Sequence, residues 1–293
     1  MAVLKFGRNY SLSIQVPEES SPLIITPPLS LEFDINRNDL ASASTASLRV
    51  YNLAQKKRDL VRRSPVDFDR IIEVELRAGY GNTNLPIIFR GQVSEAWSVR
   101  EGVNFITQLE LFDGGRAYIQ AVIDMSFSGG TPFNDIINKI VDNVVGQTPG
   151  LTKGKISNFS GTLPVNRGNT YSGPGLEVLK DLTGDGMFID NGTINCLTPG
   201  DFLPVQIIPV INSASGLLGT PRLEFPKVIV NVLFSPNLAV GQNVKLETDS
   251  SKFAGFYQII AISHRGMISP AVAGEAVTTL GLVSGQFLEG IPA

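Results

Sequence analysis

The chain has 293 residues, of which 43% are hydrophobic and 17% charged, and its net charge at pH 7 is −3. This composition excludes a disordered chain, and the negative charge excludes a protein whose whole surface is built to hold nucleic acid. The length predicts two or three domains. A single cysteine, Cys196, excludes an internal disulfide, and a single histidine, His264, leaves few ligands for zinc. We therefore expect no metal and no cofactor.

The sequence has no run of about 18 consecutive apolar residues, the length that a membrane-spanning helix needs. Its N-terminus lacks the apolar core and the small-residue cleavage site of a signal peptide. We therefore expect a protein that is made and folded in the cytoplasm, or is carried elsewhere inside an assembly, with no stable membrane association.

Residues 1 to 125 are dominated by predicted strands. Residues 29–36 alternate polar and apolar side chains, and residues 71–81 repeat this pattern with Glu73 and Glu75 on the wet face. Residues 85–115 predict two more strands that turn at Glu101 and Gly102. Strands with one wet face and no long helices between them are typical of an antiparallel barrel or sandwich.

A predicted strand runs directly into a short basic helix in residues 44–61. Asn52 is the predicted N-cap, because its side chain can accept a hydrogen bond from a free backbone N–H. Five positive charges follow within eight residues: Lys56, Lys57, Arg58, Arg62 and Arg63. Such a patch could bind phosphates, lie in solvent or contact an acidic neighbour in an oligomer. Since no aromatic residues interleave with the charges to stack bases, we favour scaffold or a protein interface.

Mixed structure is predicted from about residue 126 to 200. Apolar residues at helical spacing predict a helix over residues 133–144, which Thr131 and Pro132 begin and Gly146 ends. A second, shorter helix is predicted around residues 176–182. We interpret this region as a small insertion between two larger parts.

A hairpin is the last element predicted in this region, since Asn191 and Gly192 between two short apolar runs favour a tight primed turn. Asp181, Asp185 and Asp190 lack the ligand spacing of a calcium loop and are interpreted as turn residues. From residue 201 to 293 the sequence returns to β-rich runs separated by Gly, Pro and Ser.

Candidate catalytic residues are few. A nucleophile activated by histidine would have to use His264, which lies in a predicted strand without a nucleophile elbow nearby, so we favour a structural or interface role. Cys196 lies in an apolar strand and is interpreted as a buried, inert thiol. The carboxylates alternate on strand exteriors and favour a solvated face over an acid and base pair. We therefore predict that the chain is not an enzyme.

Four stretches in sequence order carry a resemblance to a known family. They are the strand and basic helix of residues 28–63, the helix of 125–144, the helix and hairpin of 171–201, and the β-rich run of 215–247 with 255–268. Together they resemble the baseplate hub proteins of tailed bacteriophages, which are related to the hub part of type VI secretion spike proteins.

The resemblance implies a mainly β fold with minor α, in which two antiparallel β-barrel tube domains, residues 1–125 and 201–293, flank a small α+β domain of residues 126–200. It also implies a homotrimer in the virion tail baseplate, whose six barrels adapt a sixfold tail tube to a threefold spike and leave a channel for DNA ejection. The implied partners are further copies of the chain, the tail tube protein, a spike or tail-tip protein, other baseplate proteins, and DNA only in transit. The basic helix would then contact protein.

The lining of such a channel should avoid dense Lys and Arg, because each neutralised phosphate strengthens DNA binding. We expect polar or acidic outward positions there, from the set Glu32, Asp34, Glu73 and Glu75. Two other classes remain open: a phage-associated cell-wall hydrolase, which needs an acid and base pair in a cleft, and a carbohydrate-binding or nucleic-acid-binding β module.

Overall fold

The computed structural model describes residues 5–38, 43–67, 69–81, 84–159, 167–270 and 274–284. The first part of the chain is β-rich, as its alternating sequence predicts. Its elements are β1 (Arg8–Gln15), β2 (Leu23–Ile25), β3 (Leu31–Asn38), β4 (Thr45–Tyr51), α1 (Gln55–Val61), β5 (Glu73–Tyr80), β6 (Ile87–Glu101) and β7 (Asn104–Phe112).

The next part is mixed. Its elements are α2 (Gly115–Gln120), β8 (Val122–Phe127), α3 (Phe133–Gln147), β9 (Thr152–Ile156), β10 (Asn169–Pro174), α4 (Gly175–Thr183), a 3-10 turn (Gly184–Gly186), β11 (Met187–Asp190) and β12 (Thr193–Cys196). The last part returns to strands: β13 (Val210–Ile211), β14 (Leu217–Glu224), β15 (Lys227–Leu233), β16 (Asn243–Leu246), β17 (Gly255–Ile268) and β18 (Ala276–Ser284). No helix in the described residues is both long and apolar enough to cross a membrane.

One 13-stranded sheet links the two β-rich parts, and the fold is mainly β. Its main path runs β14-β15-β18-β17-β3-β4-β7-β6-β5-β1-β2, with β16 against β17 and β13 against β16. All of these pairs are antiparallel except β13 with β16. The two parts meet where β17 pairs with β3 over eight residues, from Ala261 opposite Asn38 to Ile268 opposite Leu31. The middle elements form two small sheets, β10-β8 and β11-β12-β9.

Three hydrophobic clusters underlie these sheets. The first collects the inward side chains of β1 and β3 to β7, together with Phe234, Ile268 and Ala276 from the last part of the chain. The second lies among α2 to α4 and the two small sheets. The third joins β15 to β18 and includes Phe188 and Leu197 from the middle part. Both the first and the third cluster therefore contain side chains from outside their own part of the chain.

Several predicted elements are confirmed. Leu31, Phe33 and Ile35 are fully buried on β3, α3 and α4 form where helical spacing predicts them, and β6 turns into β7 after Glu101. The hairpin of β11 and β12 turns through Asn191 at φ 51° and Gly192 at φ 73°. Two positive φ values in a two-residue loop are the geometry of a type I′ turn, which this dipeptide favours.

Three predicted helix boundaries are wrong. Asn52 does not cap α1, because its side chain accepts the N–H of Phe105 at 3.0 Å and the helix starts only at Gln55. The Thr131 hydroxyl donates to the Ser128 carbonyl instead of capping α3. The helix α3 also continues past Gly146 to Gln147. In the first two cases the side chain is bonded to a neighbouring loop or hairpin rather than to the helix.

A buried ion pair joins the first part of the chain to the middle part. Arg37 occupies the fourth inward position of β3, after three apolar residues, and is 3% exposed. Its guanidinium donates from Nε to Asp190 Oδ1 at 2.7 Å and from Nη2 to Asp190 Oδ2 at 2.6 Å. Its Nη1 also donates to the Leu238 carbonyl at 3.5 Å. Such bidentate pairing is the geometry that makes a buried charge tolerable.

A second buried carboxylate holds the tip of the same hairpin. Asp113 follows β7, is 1% exposed and accepts the Gly192 N–H at 2.9 Å. Arg90 on β6 donates its backbone N–H to the Asn191 side chain at 3.0 Å. Burial, with a smaller contribution from the neighbouring Asp190 charge, raises the pKa of the Asp113 carboxyl from 3.8 to about 7. We call Arg37, Asp113 and Asp190 the buried polar joint.

His264 lies close to this joint on the inward face of β17. Its Nδ1 is 2.9 Å from the Thr278 hydroxyl, and its ring meets Phe234 edge-on with 5.5 Å between the ring centroids. Burial, aided by the positive charge of Arg37, lowers the pKa of His264 from 6.5 to about 3. The imidazole is therefore neutral and structural at neutral pH.

Replacing Asp190 by Asn should destabilise the fold by about 3–5 kcal/mol, because it removes the carboxylate that pairs in a bidentate geometry with the buried Arg37 charge. Chemical denaturation followed by circular dichroism measures this loss. Asp142→Asn is the matched control, since Asp142 is 61% exposed and its pair with Lys153 lies at the surface. We expect about 1 kcal/mol or less for that control, and equal losses for the two variants would contradict the joint's role.

Replacing Asp113 by Asn should change how stability depends on pH. Between about pH 4 and 7 folded Asp113 keeps a proton that the unfolded chain has lost, so its contribution to stability falls as pH rises. The Asp113→Asn variant does not lose stability in this way as pH rises. The difference in melting temperature, variant minus wild type, should therefore be larger at pH 8 than at pH 5. Thr148→Val is a control at another buried polar residue that does not titrate. An Asp113→Asn difference that is the same at both pH values would contradict the prediction.

Candidate functional site

The basic helix α1 is anchored at both ends to the hairpin of β6 and β7. At its start, Asn52 donates its backbone N–H to the Phe105 carbonyl at 2.7 Å and its side-chain amide to Asn104 Oδ1 at 3.0 Å. At its end, Arg63 pairs with Ala96 through two backbone hydrogen bonds, and its guanidinium donates to the Ser94 carbonyl. The helix and the hairpin therefore form one rigid unit.

Arg70 completes the C-terminal end of α1. Its guanidinium donates to the Leu60 carbonyl at 2.7 Å and to the Arg62 carbonyl, two groups that the helix itself leaves unpaired. The same side chain forms an ion pair with Glu18 at 2.7 Å. A cation at a helix C-terminus also interacts favourably with the helix dipole. This structural role of Arg70 was not predicted from the sequence, because the carbonyls that it caps are brought to it only by the fold.

The predicted interface residues divide into two groups. Arg63 is engaged within the chain, whereas Lys56, Lys57 and Arg62 are exposed, and no carboxylate in the described part of the chain lies within 4 Å of their charged groups. Arg58 lies over the ring of Phe105, with 3.9 Å from its guanidinium carbon to the ring centroid. The structure therefore supplies the aromatic residue that the helix sequence lacks.

The hairpin tip extends this basic surface. Arg100 lies 5.7 Å from the Phe105 centroid, on the strand opposite, and Val103 in the turn is 88% exposed. Phe105 itself is 39% exposed. We call the basic side chains of α1 and its C-cap, together with three residues of this hairpin tip, the basic arm. Its members are Lys56, Lys57, Arg58, Arg62, Arg100, Val103 and Phe105.

A second surface is the outward face of the central strands of the large sheet. Cross-strand partners share a face, so the register places Arg265, Asp34, Ser47, Glu110 and Glu95 in one row across β17, β3, β4, β7 and β6. The next row holds Glu32, Arg49 and Gln108. We call these two rows the polar face. Four carboxylates and two guanidinium groups give it a net charge of −2.

Ion pairs join strands across the polar face. Arg265 Nη2 lies 2.5 Å from Asp34 Oδ2, and this pair bridges the β17–β3 junction of the two β-rich parts. Arg49 pairs with Glu32 at 3.2 Å and with Glu101 at 3.1 Å. Both cations of this face are therefore partly neutralised by carboxylates of the same chain, unlike those of the basic arm.

The four residues predicted to line a channel lie on two different surfaces. Glu32 and Asp34 belong to the polar face. Glu73 and Glu75 instead line a crevice of about 120 Å³ between β5 and β6 and the middle part of the chain, together with Arg90, Asp113 and Gly150. Strands β4, β7 and β6 separate β3 from β5 in the sheet. The same alternating pattern therefore places the carboxylates of β3 and those of β5 on different surfaces.

The residues considered for catalysis are buried. Cys196 is fully buried in β12, and burial raises the pKa of its thiol to about 12. His264 is fully buried as well, and the structural interpretation of both residues agrees with these positions. Within the described ranges no three His, Cys, Asp or Glu side chains form a group that could hold a metal ion.

Several functional candidates on the polar face and the arm were not predicted from the sequence. Glu110 and Arg49 each lie between two apolar residues of their strands, so their outward position was readable, but their alignment with Glu95 and Arg265 in rows depends on strand order. Phe105 had no signal of its own, because its contact with Arg58 depends on the folding of the hairpin onto α1.

The fold is similar to that of solved phage tail proteins. The 43 kDa tail protein of prophage MuSo2 from Shewanella oneidensis has a TM-score of 0.61 at 8% identity, over 95% of this chain and 98% of that one. A tail protein from Neisseria meningitidis MC58 has a TM-score of 0.61 at 10% identity, over 96% and 98%. At these identities the likeness concerns the fold alone.

A type VI secretion component has the same fold. The c3393 protein of E. coli, described as structurally similar to the T4 bacteriophage tail proteins gp27 and gp5, has a TM-score of 0.55 at 10% identity. The match covers 92% of this chain and 76% of that one. No curated protein sequence matches the chain at a significant level.

The sequence profile of the family described as "Baseplate hub gp41" matches residues 11–263, which is most of the chain. The matched span includes most of the first β-rich part, the middle part, the last β-rich part as far as residue 263 in β17, the basic arm, and the polar face except Arg265. The chain therefore belongs to the baseplate hub gp41 family and is a hub-like structural protein of the phage baseplate or tail.

Proposed function

We propose that this chain forms a homotrimeric ring in the virion baseplate that joins the tail tube to the spike and surrounds a channel for DNA ejection. The family identity supplies the structural role. The observation that carries the proposal is the β3–β17 pairing, which sets the first and last β-rich parts side by side in one sheet over eight residues. Two β-rich parts placed in this way are suited to be neighbours in a pseudo-sixfold ring of three chains.

In this proposal residues 1–125 and 201–293 act as two barrel-like tube domains, and residues 126–200 form a small domain on their flank. The buried polar joint supports a fixed position for that flank, since Asp190 and Gly192 of the middle part are held by Arg37 and Asp113 of the first. The partners are further copies of the chain, the tail tube protein, a spike or tail-tip protein and other baseplate proteins. The chain is made in the host cytoplasm and then built into the virion.

We assign the polar face to the channel lining. It runs across the junction of the two β-rich parts, and its net charge of −2 with both cations paired disfavours retention of a phosphate backbone. Glu32 and Asp34 lie on this face. For Glu73 and Glu75 a place in the channel stays a prediction, since they line the crevice beside the middle part.

A role without catalysis fits the carboxylates. Asp113 has the raised pKa of a general acid, but it is 1% exposed and its carboxylate oxygens accept the Gly192 N–H. A cell-wall hydrolase needs an acid that reaches a glycosidic oxygen. Asp113 is better explained as a structural acid that holds the hairpin turn.

The mass of the purified protein in solution tests the ring. Light scattering coupled to size-exclusion chromatography should give three times the chain mass of 31.5 kDa. A protein that stays monomeric at every accessible concentration, or forms an open series of oligomers, would contradict a closed trimer.

Reversing charges on the polar face should make the trimer retain DNA. Asp34→Lys with Glu95→Lys changes the net charge of each polar face from −2 to about +2, and each added phosphate contact strengthens binding by counterion release. Gel shift with short duplex DNA at near-physiological salt is the measurement. Glu177→Lys with Asp181→Lys on the exposed side of α4 is the matched control. Wild type should not shift the DNA, and retention by wild type or equal retention by the control variant would contradict the assignment.

A further inference from the structure

The basic arm gathers five cations on one part of the described surface, and none of them has a carboxylate of the described residues within 4 Å. Its five cations and the adjacent Asp59 and Glu101 give it a net charge of +3. The whole chain has a net charge of −3, so the remainder carries −6. Outside its own arm, a second copy of the chain therefore carries an excess of negative charge, which favours association with a positive arm.

The arm also carries apolar surface. Val103 is 88% exposed at the hairpin turn, and Val99 and Phe105 are 38% and 39% exposed beside it. Aromatic and arginine side chains together are typical of the centres of protein interfaces. This composition fits a protein partner that can cover the valines while its carboxylates meet the lysines.

The arm is arranged before any partner binds. Asn52 and Arg63 fix the helix to the hairpin, and Arg58 is held against the Phe105 ring at 3.9 Å. Side chains that are already ordered lose less conformational entropy on binding. Since Arg58 covers one face of the Phe105 ring and Arg100 lies 5.7 Å from it, the ring is not free to stack on a base, which argues against single-stranded nucleic acid.

We propose that the basic arm docks on a neighbouring copy of this chain, at a surface other than the arm itself. This inference rests on the proposed ring, because a closed cyclic trimer is built from heterologous contacts in which two different patches meet. A positive arm that meets a negative body satisfies that requirement, whereas two arms facing each other would repel. Arg63 and Arg70 hold the arm in place rather than contact the neighbour.

The test is a triple variant of the full chain, Lys56→Glu, Lys57→Glu and Val103→Asp. These three side chains have no internal ion pair or core contact in the described structure, so the variant should keep the wild-type melting temperature and far-ultraviolet spectrum. We expect its trimer dissociation constant to rise by about tenfold or more, as measured by light scattering over a dilution series. The wild-type trimer should also weaken between about 0.1 M and 1 M salt, where screening shortens from about 10 Å to about 3 Å.

The matched control is Lys180→Glu with Lys252→Glu, which reverses two exposed lysines away from the arm. It should leave the trimer unchanged. A wild-type trimer with an equally stable trimer of the triple variant overturns this inference and leaves the proposed function standing. A monomeric wild type overturns both. DNA retention by the wild type, lost in the triple variant without loss of trimer, would assign the arm to phosphate instead and overturns the docking.

Discussion

The buried pair of Arg37 and Asp190 constrains the whole chain. A guanidinium that is 3% exposed is tolerable only where a carboxylate meets it in a bidentate geometry, and the carboxylate comes from a hairpin 153 residues further along the chain. The pair therefore permits one placement of the middle part against the first. Asp113 and Arg90 then fix the turn of the same hairpin through backbone groups, so the placement does not depend on the charges alone.

The same corner of the molecule also orders the last part of the chain. Arg37 reaches the Leu238 carbonyl, and Phe234 packs against Phe33 of β3 and His264 of β17. The backbone edge of β3 pairs with β17, its inward side chains make these buried contacts, and its outward Asp34 pairs with Arg265 of β17. The junction of the two β-rich parts is therefore held on both faces of the sheet as well as by backbone pairing.

Local sequence patterns predicted the strands β3 to β7, the helices α3 and α4 and the Asn191-Gly192 turn, because each depends on neighbours within a few residues. The joint was not predicted. Arg37 stood at an inward position of an alternating strand, which is a readable signal of a buried charge, but Asp190 was interpreted as a turn residue since nothing local reveals its partner. The predicted helix cap was wrong for a related reason. The Asn52 side chain accepts a hydrogen bond from the hairpin of β6 and β7, which is distant in sequence, instead of capping α1. Likewise, alternation identified Glu32 and Glu73 as outward but not that β4, β7 and β6 separate their strands.

The polar face and the basic arm differ in whether their cations are paired with carboxylates, and this difference affects whether each surface can bind phosphate or protein. On the polar face, Arg49 and Arg265 are paired across strands, so a passing phosphate would have to replace an existing carboxylate contact. On the basic arm, Lys56 and Lys57 are exposed without such partners in the described structure, and Arg58 is stacked on an aromatic ring. The ring proposed above has to hold protein neighbours without holding DNA. Separating paired cations from unpaired ones within one chain meets both demands, since attraction is then confined to the surface with apolar area that a protein can bury.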